Sequence, residues 1–405
     1  MRARRWWMLA VTCLSVIVVN LDLTILNITL PAISAALHAG TGDLQWLVDA
    51  WHSVFWINVP AVCATLAAGA VLMPESRNPA APPLDAPGAL LSAGAVTGLV
   101  WGVINGQEHG WTAPPTWALL AGSAALLAAF LARERRSANP VIDPALFWDR
   151  RFTWGTVATV AVTVALFGIL FVVPQYLQSV LGDDPISAGL RLLPMMGGLL
   201  VAGGAAGQVV RAAGTRLTVA AGLAVLTGGL VMLSQIHLAT GYAYVAAGLA
   251  VTGLGTGASV AAAIDAVMAA AGGDEAGVGA SVNSAVRQVG GAIAVAVLGG
   301  VLSAGYIRAL GPALDALPAR DAAIARASIT QAAQLARHLP AGGALRTAAG
   351  RAFLHGMSTV MLICAGVAAL AALASLRCLP GRAALAGAAR PQAPAATAPD
   401  ADARR

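Results

Sequence analysis

The 405-residue chain is 58% hydrophobic and 10% charged, with a mean hydropathy of +0.76, which is more apolar surface than one soluble core can cover. Its net charge of +6 comes from arginine alone, since no lysine occurs, and the arginines fall in short stretches between apolar runs rather than on one soluble face, which excludes a nucleic-acid site. The apolar runs reach the ~18 residues that a transmembrane helix needs, and their unbroken Leu, Val, Ala and Gly composition excludes a membrane barrel. The fold class is therefore an all-α polytopic membrane protein of about ten transmembrane helices.

In chain order, MRARRWW precedes an apolar stretch reaching Ala36. It is longer than the ~7 to 15 residues of a signal-peptide core and is expected to be retained as the first span. Further spans are expected near 54–73, 87–106, 115–133, 153–178, 186–210, 217–236, 241–264, 281–304 and 353–377. Arg2, Arg4 and Arg5 lie before the first span and Arg77 after the second. Arg133, Arg135, Arg136, Arg150 and Arg151 follow the fourth, and Arg211 and Arg216 the sixth. Every second loop is thus basic, which puts both termini in the cytoplasm. The stretch 305–352 dissents: it should lie outside, yet it carries Arg308, Arg320, Arg326, Arg337, Arg346 and Arg351. Ala-rich surface helices are expected there, and a disordered tail after Pro380.

All ten tryptophans lie at or before Trp154, mostly at span ends, as interfacial anchors do. Glycine pairs inside spans, at Gly197/Gly198, Gly203/Gly204, Gly228/Gly229 and Gly290/Gly291, point to close helix packing. Cys13, Cys63, Cys364 and Cys378 lie in or beside apolar runs at no metal or redox spacing, so no metal or cofactor is called for. Gly253, Gly255 and Ala258 match G-x-G-x-x-A, but the dinucleotide fingerprint requires a preceding strand, and these residues lie in one apolar helical run.

The most informative segment is LDLTILNITLP, residues 21–31. Asp22 falls roughly 22 Å into the first span if that span starts near Trp7, and an acid at such depth costs about 2.5 to 3.5 kcal/mol to insert. Thr24 and Asn27 add polar groups in the next turn. A desolvated carboxylate has a raised pKa and can exchange a proton near neutrality; the plainer alternative is an acid hydrogen-bonded to a neighbouring helix.

Followed by LQW at 44–46, this segment resembles the first-span signature of the fourteen-span drug/proton antiporters of the major facilitator superfamily. FWINVP at 55–60, PES at 74–76 and LDAPGALL at 84–91 resemble that family's sixth span and the start of its seventh. VVPQYLQSVLG at 172–182, AGLRLLP at 188–194 and NSAVRQVGGAIAVAVLG at 283–299 resemble its ninth, tenth and thirteenth spans. The resemblance implies a helical bundle with an incomplete N-terminal half. It implies proton-coupled export with Asp22, Thr24 and Asn27 on the proton path; Gln175, Tyr176 and Gln178 stand either on a possible substrate path or, equally, at the outer interface. Pro31, Asn58, Pro60, Arg287, Gln288 and Gly290 are its structural positions. It also implies a small hydrophobic or cationic drug-like substrate, protons and the lipid bilayer as partners, no cofactor, and a bacterial cytoplasmic membrane.

Departures from the family pattern are equally specific. LVDAW at 47–51 passes straight into HSVFWINVP, so the start of the second span joins the start of the sixth near His52. The gating loop and the fifth-span antiporter motif are missing, a loss of four spans or roughly 100 to 120 residues. A weaker copy of the gating loop persists at Gly207, Gly214 and Arg216, with Arg211 where the family has an acid; Asp265 reads as an interfacial residue. The resulting blocks are 1–52, the first span with a remnant of the second; 53–136, resembling the sixth to eighth spans; 137–380, a six-span bundle with the loop near 305–352; and the tail 381–405. Two rivals stand beside export: a non-transporting membrane remnant or truncated gene model, and an intramembrane enzyme, for which no cluster of acids, histidines and a nucleophile is present. A homodimer could supply the missing wall.

Overall fold

The computed structural model describes residues 85–136, 147–315, 317–339 and 342–381, with the isolated positions 63 and 67. The first two expected spans, and with them Asp22, Thr24, Asn27, Pro31, Asn58 and Pro60, lie outside the described residues, as does the expected tail. Within the described residues there are eight helical stretches long and apolar enough to cross a membrane, and no strand. Each coincides with one of the eight spans expected from residue 87 onward. The protein is an all-α polytopic bundle.

Helices α1 (Ala86–His109) and α2 (Pro114–Glu134) form an antiparallel hairpin. The Asp85 side chain caps α1 by accepting from Gly88 N at 3.1 Å, and Gly110, at φ 97°, ends it in a conformation that only glycine adopts freely. Glycines on α1 receive side chains of α2: Gly94 faces Leu126, Gly98 faces Ser123 and Gly102 faces Leu120. Ser123 Oγ, buried, donates to Ala95 O at 2.6 Å. At the open end Arg133 Nη2 donates to Asp85 Oδ1 at 2.7 Å. That bond, with the Gly88 amide, holds the Asp85 carboxyl below its ordinary range, so the link is intact at neutral pH and is lost only as acidification passes that lowered pKa.

Helix α3 (Arg150–Gln175) is capped by Asp149, whose side chain accepts from Arg151 N at 2.6 Å, and it is the most deeply buried span. Pro174 deprives the last turn of one backbone donor, and the helix widens into a single π-helical turn, Tyr176–Leu181, closed by Gly182 at φ 84°. A short helix α4 (Pro185–Arg191), capped by Asp184, leads into α5 (Leu193–Ala213), and Gly214 at φ 85° turns the chain into α6 (Thr215–Ser234).

Helical backbone then runs unbroken through α7, Tyr242–Leu314, 73 residues. Gly155 of α3 abuts Ala263 and Val267, while Thr159, one turn on, bonds Asn283. Sixteen residues of straight helix would put Val267 and Asn283 about 24 Å apart, against about 6 Å between their partners on α3. The backbone therefore doubles back between the two spanning arms, Tyr242–Ala270 and Gly279–Leu314, through a segment that contains Gly272, Gly273 and Gly277. The two separate spans read from the sequence are these arms; what was read as a loop between them is helical.

The first arm is gripped on two sides. Against α6 the pairs are Gly222 with Ser259, Leu226 with Gly255, Gly229 with Thr252 and Leu233 with Gly248, an antiparallel register kept over three turns. Against α5, Gly198 meets Ala250 and Leu254, Gly253 meets Met195, and Gly257 meets Leu199 and Gly203. The second arm lies along α3, where Gly291 receives Phe167 and Gly299 receives Phe171. It crosses α10 (Gly342–Cys378) where Gly305 approaches Gly356.

The stretch 305–352 departs from its expected loop character. The second arm of α7 continues to Leu314, and α10 begins at Gly342, so both helices overrun the spans expected from the sequence by about three turns. Between them α8 (Ala319–Ala327) and α9 (Ile329–His338) are Ala-rich as expected, but they are packed against the bundle, with Ala325, Ile329 and Ala332 buried. Tyr306 OH donates to Ala325 O at 2.9 Å, and Ser179 and Thr330 hydroxyls pair at 3.1 Å. Alanine continues a helix at no side-chain entropy cost, which is why these turns persist beyond the apolar run.

Gly255→Ala is expected to lower stability by roughly 1 to 3 kcal/mol, because the new methyl meets the Leu226 backbone, which cannot move aside. Gly228→Ala, on the same two-helix unit but facing open space, is expected to be neutral or stabilising by up to about 1 kcal/mol through helix propensity. Thermal midpoints in detergent compare them; equal shifts in both variants would rule out the packing account.

Candidate functional site

Polar groups in the described bundle gather at three levels. Deep in the bundle, α3 turns Thr156, Thr159 and Thr163 toward the interior, spaced so that they share one face. Thr159 Oγ1 lies 2.8 Å from both Thr156 O and Asn283 Oδ1, and Thr163 Oγ1 donates to Thr159 O at 2.8 Å. Asn283 is 5% exposed, so the pair ties α3 to the second arm of α7 away from water. Arg287 lies half-buried one turn above Asn283. Gln288 is exposed, and Gly290 packs on Val160, where an added Cβ would come within 3.0 Å of the valine methyl. Asp265, on the first arm, is exposed.

A second group forms where α3 ends. Gln175 Nε2 donates to Phe171 O at 2.7 Å, which engages its amide within the helix. Tyr176 is 1% exposed, and its hydroxyl has no hydrogen-bond partner among the described residues. Close by, Arg191 Nη1 pairs with Asp183 Oδ2 at 2.7 Å, and the same guanidinium stacks 5.0 Å over the Tyr242 ring, whose hydroxyl donates to Arg191 O at 3.0 Å. The end of α3, α4 and the start of α7 are thereby pinned together. Gln175, Tyr176 and Gln178 do not converge: Tyr176 points into the core, and Gln178 lines a cleft at the bundle end together with Ser179, Arg337 and Arg346.

The third level is the opposite end, where Gly214 makes the α5–α6 turn between Arg211 and Arg216, and Gly381 beside Arg216 brings the end of α10 to the same place. Gly253 and Gly255 are packing glycines: the backbones of Met195 and Leu226 occupy the space in which a phosphate would have to sit. No group of three His, Cys, Asp or Glu among the described residues is arranged to hold a metal ion. Cys364 is buried and free, Cys63 exposed and free.

Two features escaped the sequence reading. The Thr156–Thr159–Thr163 column had a signal, three hydroxyls at helical spacing inside an apolar run, and Asn283 opened a segment already singled out. The Asp183–Arg191–Tyr242 cluster had none, because its members lie up to 59 positions apart.

Residues 23–295 match the family described as Major Facilitator Superfamily. The tetracenomycin C resistance and export protein of Streptomyces glaucescens is 31% identical over 340 residues, covering 80% of this chain and 62% of that one. Multidrug resistance protein Stp of Mycobacterium tuberculosis is 34% identical over 272 residues, 67% of this chain and 50% of that one. The multidrug efflux pump LfrA of Mycolicibacterium smegmatis is 30% identical over 319 residues, 78% of this chain and 62% of that one. The matched part of this chain thus spans half to about three fifths of the length of these relatives.

Tyr176→Phe is expected to leave the thermal midpoint unchanged or to raise it by up to about 1 kcal/mol equivalent, since a buried hydroxyl without a partner carries a desolvation cost that the phenyl ring does not. A clear drop in the midpoint would reveal a partner for that hydroxyl.

Proposed function

Because the chain belongs to the Major Facilitator Superfamily, we propose that it acts as a membrane exporter of small hydrophobic or cationic drug-like compounds, coupled to protons, in a bacterial cytoplasmic membrane. The observation that carries this reading is the family match over residues 23–295, joined by relatives whose names are those of resistance, export and efflux proteins. Transport in this reading is alternating access, two groups of helices rocking about a midplane site, with no covalent chemistry. Asp22 is the proton-exchanging group, flanked by Thr24 and Asn27, because an intramembrane acid is costly and releases its proton near neutrality. The region 137–380 is one complete six-span half, and both termini face the cytoplasm, as the arginine loops require.

The proposal includes a defect. The segments before residue 85 resemble only the first and sixth spans of the fourteen-span pattern, joined near His52. Two helices cannot enclose half a cavity, so export by this chain alone is weak. Four spans are an even number, so every later helix keeps its direction and insertion is unaffected. The junction near His52 also favours a second reading, a membrane remnant that inserts without transporting. A homodimer that closes the open wall would separate the two.

Purified protein in proteoliposomes, given an imposed proton gradient and a panel of cationic dyes, is expected to show little flux, and a variant with the four spans restored to show robust flux that Asp22→Asn abolishes. Robust proton-driven flux from the unmodified chain would contradict the defect, and pH-dependent flux unaltered by Asp22→Asn would remove that residue from the path. Topology has its own check: a cysteine introduced at Ala138 is expected to resist an impermeant reagent in intact cells, and its labelling would reverse the assignment.

A further inference from the structure

Six arginines in 305–352 lie at the end of the bundle that the loop alternation leaves poor in basic residues, and two of them meet in one place. Arg337, at the close of α9, and Arg346, in the second turn of α10, line a cleft of about 250 Å³. Its other walls are Gln178, Ser179 and Gly182 from the π-helical end of α3, Ala333 and Ala336 from α9, and Gly342 and Gly343 from α10. No aspartate or glutamate lines it. Among the described residues neither guanidinium has an ion pair or hydrogen bond, and Arg346 lies directly over Gly182, where an added Cβ would stand 3.4 Å from Nη2.

Two guanidiniums sharing one cleft without a carboxylate repel each other and leave a set of planar donors unused. The walls are held firmly: Ser328 caps α9 by accepting from Gln331 N at 3.2 Å, Thr330 pairs with Ser179, and Gly342 packs against the Ala336 carbonyl, where no side chain would fit. Small residues, three of them glycine, keep the floor open and leave backbone within reach of a ligand. Bidentate guanidinium forks together with the Gln178 side chain match the oxygens of a phosphate group, while the volume is too small for a drug-sized molecule.

We propose that this cleft binds a phosphate group, carried either by a soluble phosphate ester or by the headgroup of an anionic phospholipid. The site is independent of the proposed proton path and is read by binding alone, so loss of transport and loss of this site are separate outcomes.

The test uses the full chain in nanodiscs of phosphatidylcholine. Inorganic phosphate and glycerol phosphate are followed by phosphorus NMR line broadening, and retention of phosphatidylglycerol over phosphatidylcholine by native mass spectrometry. Binding of at least one of these probes is expected to weaken by about tenfold or more in Arg337→Gln/Arg346→Gln. Loss confined to the soluble ions identifies a solute site, and loss confined to phosphatidylglycerol a lipid site. Ala333→Glu keeps both arginines and places a carboxylate one turn before Arg337; it is expected to weaken binding likewise, with an unchanged thermal midpoint, by occupying the guanidiniums from within. Arg320→Gln, at the same end but outside the cleft, is expected to bind as the unmodified chain does. Equal binding by the unmodified chain and both cleft variants, or equal loss in Arg320→Gln, would overturn the proposal.

Discussion

The first arm of α7 is the member against which two other spans are set, and what sets them there is the absence of side chains. In a bilayer the lipid is as apolar as the helix surfaces, so burying leucine against leucine drives little association, and close van der Waals approach must do the work. Gly248, Gly253, Gly255 and Gly257 supply that approach on two faces of one helix, toward α6 and α5 respectively, and Gly198, Gly222 and Gly229 answer from the partners. At Gly198, Gly253, Gly255 and Gly257 backbone alone fills the gap, so those contacts admit no substitute. A register is fixed over three turns with α6, and the directions of α5 and α6 follow from it. α3, the second arm and α10 complete the bundle around Gly168, which lies beneath both Cys364 and Leu298.

The polar groups are arranged on this frame with different consequences. The Thr159 and Thr163 hydroxyls are satisfied inside the protein, where an unpaired donor would be costly, and Thr159 with Asn283 joins α3 to the second arm as a specific contact. The Asp183–Arg191 pair lies at the end of the bundle, and its cation also lies on the Tyr242 ring, which fixes the chain entering α7 relative to the end of α3. Among the described residues the hydroxyls of Tyr176 and Thr156 are buried without a hydrogen-bond partner. Such orphaned hydroxyls are tolerable only where surrounding packing repays them, and both lie on Arg150–Leu181, the most buried span.

Much of this was legible. Eight spans were readable from apolar run length alone, because a bilayer demands about 20 such residues in helical form and nothing else satisfies the backbone. The glycine pairs announced close packing, and Gly253 and Gly255 were rightly separated from a nucleotide fingerprint, since no strand precedes them. What could not be read was partner choice: Gly222 meeting Ser259, or Arg191 meeting Tyr242, depends on which helices become neighbours, and hydropathy is blind to that. The helical reach of α7 and α10 beyond the membrane was missed because apolar length marks the lipid boundary, whereas alanine propensity, which carried the helix further, ignores it. Gln175, Tyr176 and Gln178 were grouped by adjacency in sequence. Successive residues on a helix point about 100° apart, and the π-helical turn adds a further rotation, so their separation into helix, core and cleft follows from geometry.

The α1–α2 hairpin adds a constraint of a different kind. Its two spanning windows are 22% and 17% buried, against 61% for α3, yet it is internally complete, with its own cap, its own small-to-large register and its own ion pair at the open end. A unit that satisfies its backbone and its charges without the rest of the bundle can sit at the periphery facing lipid at no polar cost. The six spans from Arg150 to Cys378 likewise close their polar contacts among themselves, at Thr159 with Asn283 and at Asp183 with Arg191. Each unit is thus held by contacts of its own, the hairpin by the packing of α2 side chains on α1 glycines and one ion pair, the larger unit by the bonds that Thr159 and Arg191 make between helices.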